Sequence, residues 1–312
     1  MPPAHRHHFI SQFYLRNFVA DRTAPQLFVV DLQEGRSFVT STANVALEND
    51  FHTISAPGQR PDMIERQLSK FEAAVAPALA RLIQRASVGE DENAQLVLFF
   101  ATLLLVKNPG MRGTVSSFVD TLMKRMSQME AADPEAWNAR MRQMVDDGVF
   151  PPDSDEEDLR QSILRGDFSI DLSPEAHMTY EFSSAAALVE LVARRHWNVY
   201  RAKEGQFVTC DRPVVLMWSD PMQTDAIGLA LPNTRVLFPL SGEIALCGGF
   251  ELADEIVPLD AEEVAKVNGR IILNAKRWVY ARDDTFGYLL QHNAALRRGS
   301  DLPEDRLVTE RR

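Results

Sequence analysis

His5, His7 and His8 fall within four positions of "HRHHFISQFYLRNF" (5–18), directly ahead of an aromatic-rich run, and they are three of the chain's seven histidines. An imidazole works as a general base near neutral pH, and its nitrogen ligates metals such as zinc. Side chains alternate along extended backbone, so His5 and His7 share one side and His8 takes the other. One metal could take His5 with His7, or His8 with distant carboxylates. The bland alternative has His7 and His8 bonding to backbone carbonyls where the chain joins a sheet.

Glu48, Asp50 and His52 alternate at i, i+2, i+4, which on a strand would set two carboxylates and an imidazole on one face. With His8, Asp50 and His52 are the candidate ligands of one divalent ion, zinc or manganese. A solvated strand edge is the competing reading. Asp211 follows a β-like run and precedes Arg212-Pro213, a place suited to a ligand, a base or a carboxylate that caps the turn through backbone amides. His7, His8 and Asp211 are the candidate catalytic groups. Arg16, Arg112 and Arg212 are the candidate anion clamp, because guanidinium forks match carboxylate and phosphate. Lys107 is a further cation beside an apolar run. Arg194 and Arg195 read as complements to a helix C-terminal dipole, and Glu65 and Glu72 as one solvated helix face.

The elements that must position these residues follow from periodicity. Phe9, Phe13, Leu15 and Phe18 have roughly helical spacing, "QLFVVDL" (26–32) and "RSFVTS" (36–41) read as a hairpin, and "FHTI" (51–54) as a short strand. From Asp62, Ile64, Leu68, Phe71, Val75, Leu79 and Leu82 mark one face of a long helix that Pro77 should kink or split. An apolar helix spans about 91–107 and stops at "NPG", and others cover about 113–130, 134–147 and 174–195. The acidic "VFPPDSDEED" (149–158) reads as a loop. Strand-like runs then alternate with turns from Trp197 to Arg282, interrupted by a helix at about 260–275, and 285–298 reads as helical. These elements predict an α+β fold: an antiparallel sheet built from both chain ends, with a helical subdomain at about 62–195 inserted and a mainly β part at about 196–282.

Composition bounds the function. At 312 residues and 45% hydrophobic content, a sizeable core is available. The net charge of −11 disfavours an extended nucleic-acid footprint while leaving room for a small cationic pocket. Two cysteines in apolar runs, no apolar leader and no run long enough to span a bilayer predict a cytoplasmic protein without a membrane segment. Walker, GxGxxG, HExxH, CxxC and GxSxG motifs are absent. The order of His8, a hairpin, Asn44 or Asn49 and His52 approximates a ββα-metal nuclease, but the segment after His8 reads as helix and His52 falls in a strand-like run.

"HHFISQFYLRNF" (7–18), "NVALENDFHTI" (44–54), "IERQLSKFEAAVAPALARL" (64–82), "WNVYRAKEGQFVTCDRPVV" (197–215) and "VLFPLS" (236–241) together resemble the bacterial family called domain of unknown function 4238. The resemblance runs from His7 to about Tyr280. Ser11 stands where that family usually has proline, Cys210 and Arg212 where it tends to have serine and asparagine, and His52 where it has an aromatic. The resemblance implies one fold along the chain and no established activity. Two functional expectations follow from the residues. One is a non-catalytic module that meets a protein partner; the other is a metal- or histidine-assisted hydrolase acting on a small anionic, phosphodiester-type ligand.

Overall fold

The computed structural model describes residues 6–53, 63–87, 92–149, 151, 155–290 and 295–309, so His5 lies outside the described residues. The N-terminal part holds β1 (Arg6–His8), α1 (Gln12–Leu15), β2 (Gln26–Asp31), β3 (Arg36–Ser41) and β4 (Leu47–Asn49). Helices α2 (Met63–Arg85), α3 (Glu92–Val106), α4 (Pro109–Ala132), α5 (Pro134–Asp146), α6 (Glu156–Arg165) and α7 (Pro174–Ala193) follow. Then come β5 (His196–Ala202), β6 (Thr209–Cys210), β7 (Val215–Trp218), β8 (Thr234–Pro239), β9 (Ile244–Gly249) and β10 (Ile256–Leu259). The chain finishes with α8 (Ala261–Asn274), β11 (Trp278–Ala281), β12 (Gly287–Tyr288), β13 (Arg297–Arg298) and α9 (Arg306–Thr309). The protein is α+β. No single helix among the described residues is long and apolar enough to cross a membrane.

Two compact units divide the chain: Met1–Asn108 with Pro174–Arg312, and Pro109–Ser173. Helices α2, α3 and α7 therefore belong with the sheets, whereas periodicity alone grouped every helix from 62 to 195 together.

In the larger unit the expected single antiparallel sheet is replaced by separate sheets. One has the order β3-β2-β11-β6 and joins the N-terminal hairpin to C-terminal strands, as a sheet from both chain ends requires. Another has the order β10-β5-β9-β8-β7, in which β10 runs parallel to β5. Both are covered on two faces. Alternation sends Leu27 and Val29 of β2, and Ile244 and Leu246 of β9, into one core beneath α2 and α3. Val30, Ala245 and Cys247 point into a second core with Val264, Ile271 and Ile272 of α8. Cys210 and Cys247 are buried free thiols.

Tyr14 joins the two sheets. Fully buried, it shares a hydrogen bond with Thr209 Oγ1 of β6 (2.8 Å) and donates to the Pro239 carbonyl of β8 (2.7 Å). Its ring stacks on Phe238 at 5.5 Å. Helix α8 starts with a reciprocal cap between Asp260 and Glu263 and packs so closely that a Cβ on Gly269 would lie 1.7 Å from the Leu289 carbonyl oxygen.

Of the two outcomes expected at Pro77, a kink or a split, the split is absent: α2 runs through, because Pro77 and Ala73 are exposed and the carbonyl that proline orphans can face water. Two further sequence expectations change. The loop read at 149–158 ends in α6, capped by the Asp155 carboxylate and closed by left-handed Gly166; Leu159, Ile163 and Leu164 pack on Trp137 and Met141 within the smaller unit. The helix read at 285–298 is a two-stranded ladder of β12 and β13, since Phe286 and Tyr288 alternate inward with period 2; residues 291–294 lie outside the described residues.

Tyr14→Phe is expected to cost about 1–3 kcal/mol by leaving the buried Pro239 carbonyl without its donor and the Thr209 hydroxyl without its acceptor, and Gly269→Ala about 3 kcal/mol or more by overpacking. Urea unfolding midpoints check both, and an unchanged midpoint in either variant would contradict the packing described.

Candidate functional site

The histidine segment forms β1, which pairs antiparallel with β4 so that His7 faces Glu48 and His8 faces Leu47 across the ladder. Alternation buries His7, 4% exposed, and leaves His8 half-buried on the other side. After Phe9 donates to the Ala46 carbonyl (3.0 Å), the chain turns into α1, and Gln12 one turn along reaches back to His8. The Gln12 amide nitrogen lies 2.8 Å from His8 Nε2, and its carbonyl oxygen accepts from Arg16 Nη2 at 3.3 Å. That second bond sets the amide's orientation, so Nε2 of His8 accepts, and the buried Nδ1 has no hydrogen-bond partner among the described residues.

His52 is in a turn rather than a strand. Asp50 adopts φ 53°, Thr53 N donates to the Asp50 carbonyl (3.1 Å), and Thr53 Oγ1 donates to the Asp50 carboxylate (3.0 Å). Glu48, Asp50 and His52 therefore do not share a strand face; the left-handed residue breaks the alternation. The turn sends His52 inward to 2% exposure. Its backbone N–H donates to His7 Nδ1 (3.3 Å), and its Nδ1 lies 2.9 Å from Glu65 Oε2. A carboxylate only accepts, so Nδ1 carries the proton and Nε2 is left as acceptor. Lys107 Nζ, one residue past α3, stands 3.5 Å from that Nε2, donates to the Phe9 carbonyl at 3.2 Å and lies over the Phe51 ring at 5.6 Å. On α2, one turn pair from Glu65, Glu72 accepts from the Ser11 hydroxyl at 2.5 Å.

Burial sets the charge states. It lowers His52 to about 4, with Lys107 and His7 acting in the same direction and the bond to Glu65 opposing. His8 is lowered, again chiefly by burial, against the Val45 carbonyl and Glu65. The hydrogen bond from His52 lowers Glu65. Burial raises Glu72 despite its bond to Ser11. A neutral His52 thus sits between a carboxylate and an ammonium.

The cluster brings together His7, His8, His52 and Lys107 and adds Glu65 and Glu72, which periodicity had assigned to a solvated face. A signal existed: Glu72 interrupts the apolar row of Leu68 and Val75 on the face that α2 buries. Arg16 is exposed at the rim and touches the cluster through Gln12.

The other candidates serve elsewhere. Asp211 accepts backbone N–H bonds from Lys276 (2.7 Å), Arg277 (2.7 Å) and Trp278 (3.1 Å), in line with the backbone-amide alternative of its sequence reading, and the carboxylate anchors the approach to β11. Arg212 contributes its carbonyl, accepting from Cys210 Sγ (3.1 Å) and Asn274 Nδ2 (2.6 Å). Arg112 is buried in α4 of the smaller unit. Arg195 lies beyond the end of α7, with its guanidinium buried on the Thr234 and Leu229 carbonyls at 2.6 Å each, so it does more than face a helix dipole. Of the set His8, Asp50 and His52, His8 and His52 lie in the cluster while Asp50 bonds to Thr53 in the turn, and no group of three or more His, Cys, Asp or Glu among the described residues is placed to hold a metal ion.

The family described as "Protein of unknown function (DUF4238)" matches residues 6–285. No curated protein matches the chain, and no solved structure does.

His52 is depressed in the folded state, so the unfolded chain takes up this proton first as pH falls. Its contribution to stability is complete above the ordinary value of 6.5 and disappears as pH drops through about 4. At about 1.4 kcal/mol per unit this amounts to about 3 kcal/mol. Unfolding free energies measured between those pH limits should fall for the wild type and flatten by that amount in His52→Phe. Parallel curves would contradict a buried, neutral His52.

Proposed function

The chain belongs to the DUF4238 family, and we propose that it is a non-catalytic interaction module in which the histidine segment is a structural plug. One observation carries this reading: each imidazole acceptor in the cluster is already engaged, His7 Nδ1 by the His52 amide, His8 Nε2 by Gln12 and His52 Nε2 by Lys107. A general base needs a lone pair within reach of the substrate's proton. Here the lone pairs hold β1, the 50–53 turn, α2 and the end of α3 together. The partner is a protein rather than an extended nucleic acid, in keeping with the net charge of −11. Two buried free thiols favour a reducing compartment, the cytoplasm.

A second reading, a histidine-assisted hydrolase of a small anionic phosphodiester, draws on a different observation. Glu65 and His52 are coupled at 2.9 Å, and the Glu65 side chain is 42% exposed. In this reading His8 becomes the base once the Gln12 amide swings away, and Arg16 meets the anion.

His8→Ala separates the two. As a plug residue, its loss leaves the Gln12 amide unpaired and is expected to lower stability by about 1–3 kcal/mol, with bis(p-nitrophenyl) phosphate hydrolysis at the buffer rate in wild type and variant alike. The module reading is overturned if the wild type hydrolyses this ester and His8→Ala abolishes that activity at an unchanged melting temperature. Stoichiometric zinc or manganese in untagged protein, lost in the folded His7→Ala/His8→Ala variant, would overturn it too.

A further inference from the structure

Helix α4 commits one face to its own unit. Asp120 accepts from the Ile170 amide (2.9 Å) and pairs with Lys124 (3.1 Å), whose ammonium lies 5.7 Å from the Phe168 ring centre. Gln128 donates to the Leu164 carbonyl (3.2 Å), and the Ala131 carbonyl accepts from Arg160 (2.8 Å). Positions 120, 124, 128 and 131 lie on one side of a 3.6-residue helix, so the opposite side is left outward.

That side carries the half-buried Val115 and Val119 and the exposed Leu122, Met126 and Met129, spaced 4, 3, 4, 3. This is the a/d alternation of a coiled-coil heptad. Leu122, Met126 and Met129 are 44%, 55% and 74% exposed, and Phe118 beside them is 66% exposed. With Met126 at a and Met129 at d, the flanking g positions are Phe118 and Arg125, and the e positions are Met123 and Glu130. Arg125 and Glu130 are both exposed, and neither has an ion-pair partner among the described residues.

We propose that α4 pairs in parallel and in register with α4 of a second copy of this chain, an inference that rests on the interaction-module reading and names its partner. The flanks select both the occupant and the direction. In a parallel pair, each g residue meets the e residue five positions later on the other helix. Arg125 then meets Glu130 of the second copy, Phe118 meets Met123, and twofold symmetry repeats both contacts. An antiparallel pair sets g against g and e against e, which matches Arg125 with Phe118 and Glu130 with Met123 and leaves both charges without a partner. The heptad thus complements itself in one orientation.

Sedimentation velocity on the full chain over a concentration series tests this. A reversible dimer is expected, weakened about tenfold by Arg125→Glu or Glu130→Arg alone and restored in the double swap, because residues five apart do not meet on one helix. Leu122→Glu/Met126→Glu should abolish the dimer while far-UV circular dichroism and melting temperature remain those of the wild type. Met129→Cys, with oxidised glutathione as oxidant, should give a disulfide-linked dimer, since in-register d positions face each other and both native thiols are buried. A wild type that stays monomeric at every concentration overturns the inference, as does a dimer indifferent to the Leu122 and Met126 changes. Either result leaves the plug reading intact, whereas phosphodiester hydrolysis lost in His8→Ala overturns that reading alone.

Discussion

An ammonium held at 5% exposure has to be compensated where it sits, and the arrangement around Lys107 supplies that compensation. The Phe9 carbonyl accepts one of its protons, the neutral His52 ring offers a second acceptor, and the Phe51 face covers it. These partners come from two pieces of chain, the end of β1 and the turn after β4, and Glu65 adds helix α2 through its bond to His52. Because the charge cannot be left bare, these pieces are brought to one place together with the last turn of α3. The two histidines of β1 follow from that demand, one supporting the His52 backbone and the other tied to α1 by Gln12.

The same segment then reaches the larger architecture. Three residues beyond Ser11, Tyr14 contacts both principal sheets, so the Phe9 carbonyl that meets Lys107 and the residue that joins the sheets lie within one short stretch. Local choices agree along it: alternation in β1, a tight turn at Ser11, one helical turn and an aromatic contact with Phe18 and Phe100. Such agreement between levels marks a segment that specifies a single arrangement.

Much of this was legible beforehand. The strands at 26–41, the apolar helix near 91–107, the α2 pattern and most later strands follow from period 2 or period 3.6 in the chain itself. The importance of the histidine segment was also visible, and so was the separation of His7 from His8 by alternation. What misled was local: three alternating polar residues at 48, 50 and 52 satisfy a strand template, but a left-handed Asp50 ends the strand. Acidic composition hid α6, because acids suited to a helix N-terminus look like a solvated loop.

The sequence by itself determined the class of fold and the elements with strong periodicity, since those depend on neighbours a few positions apart. Tertiary structure alone decided what the charged residues do. Lys107 meets a carbonyl 98 positions away, His52 a lysine 55 away, Ser11 a glutamate 61 away and Asp211 the amides of a segment 65 to 67 away. The role of a titratable group is set by its dielectric surroundings and by which partners burial forces upon it. Neither is encoded in local spacing, so Glu65 and Glu72 read as solvent-facing until the packing of α2 against β1, α1 and the 50–53 turn placed them in the cluster.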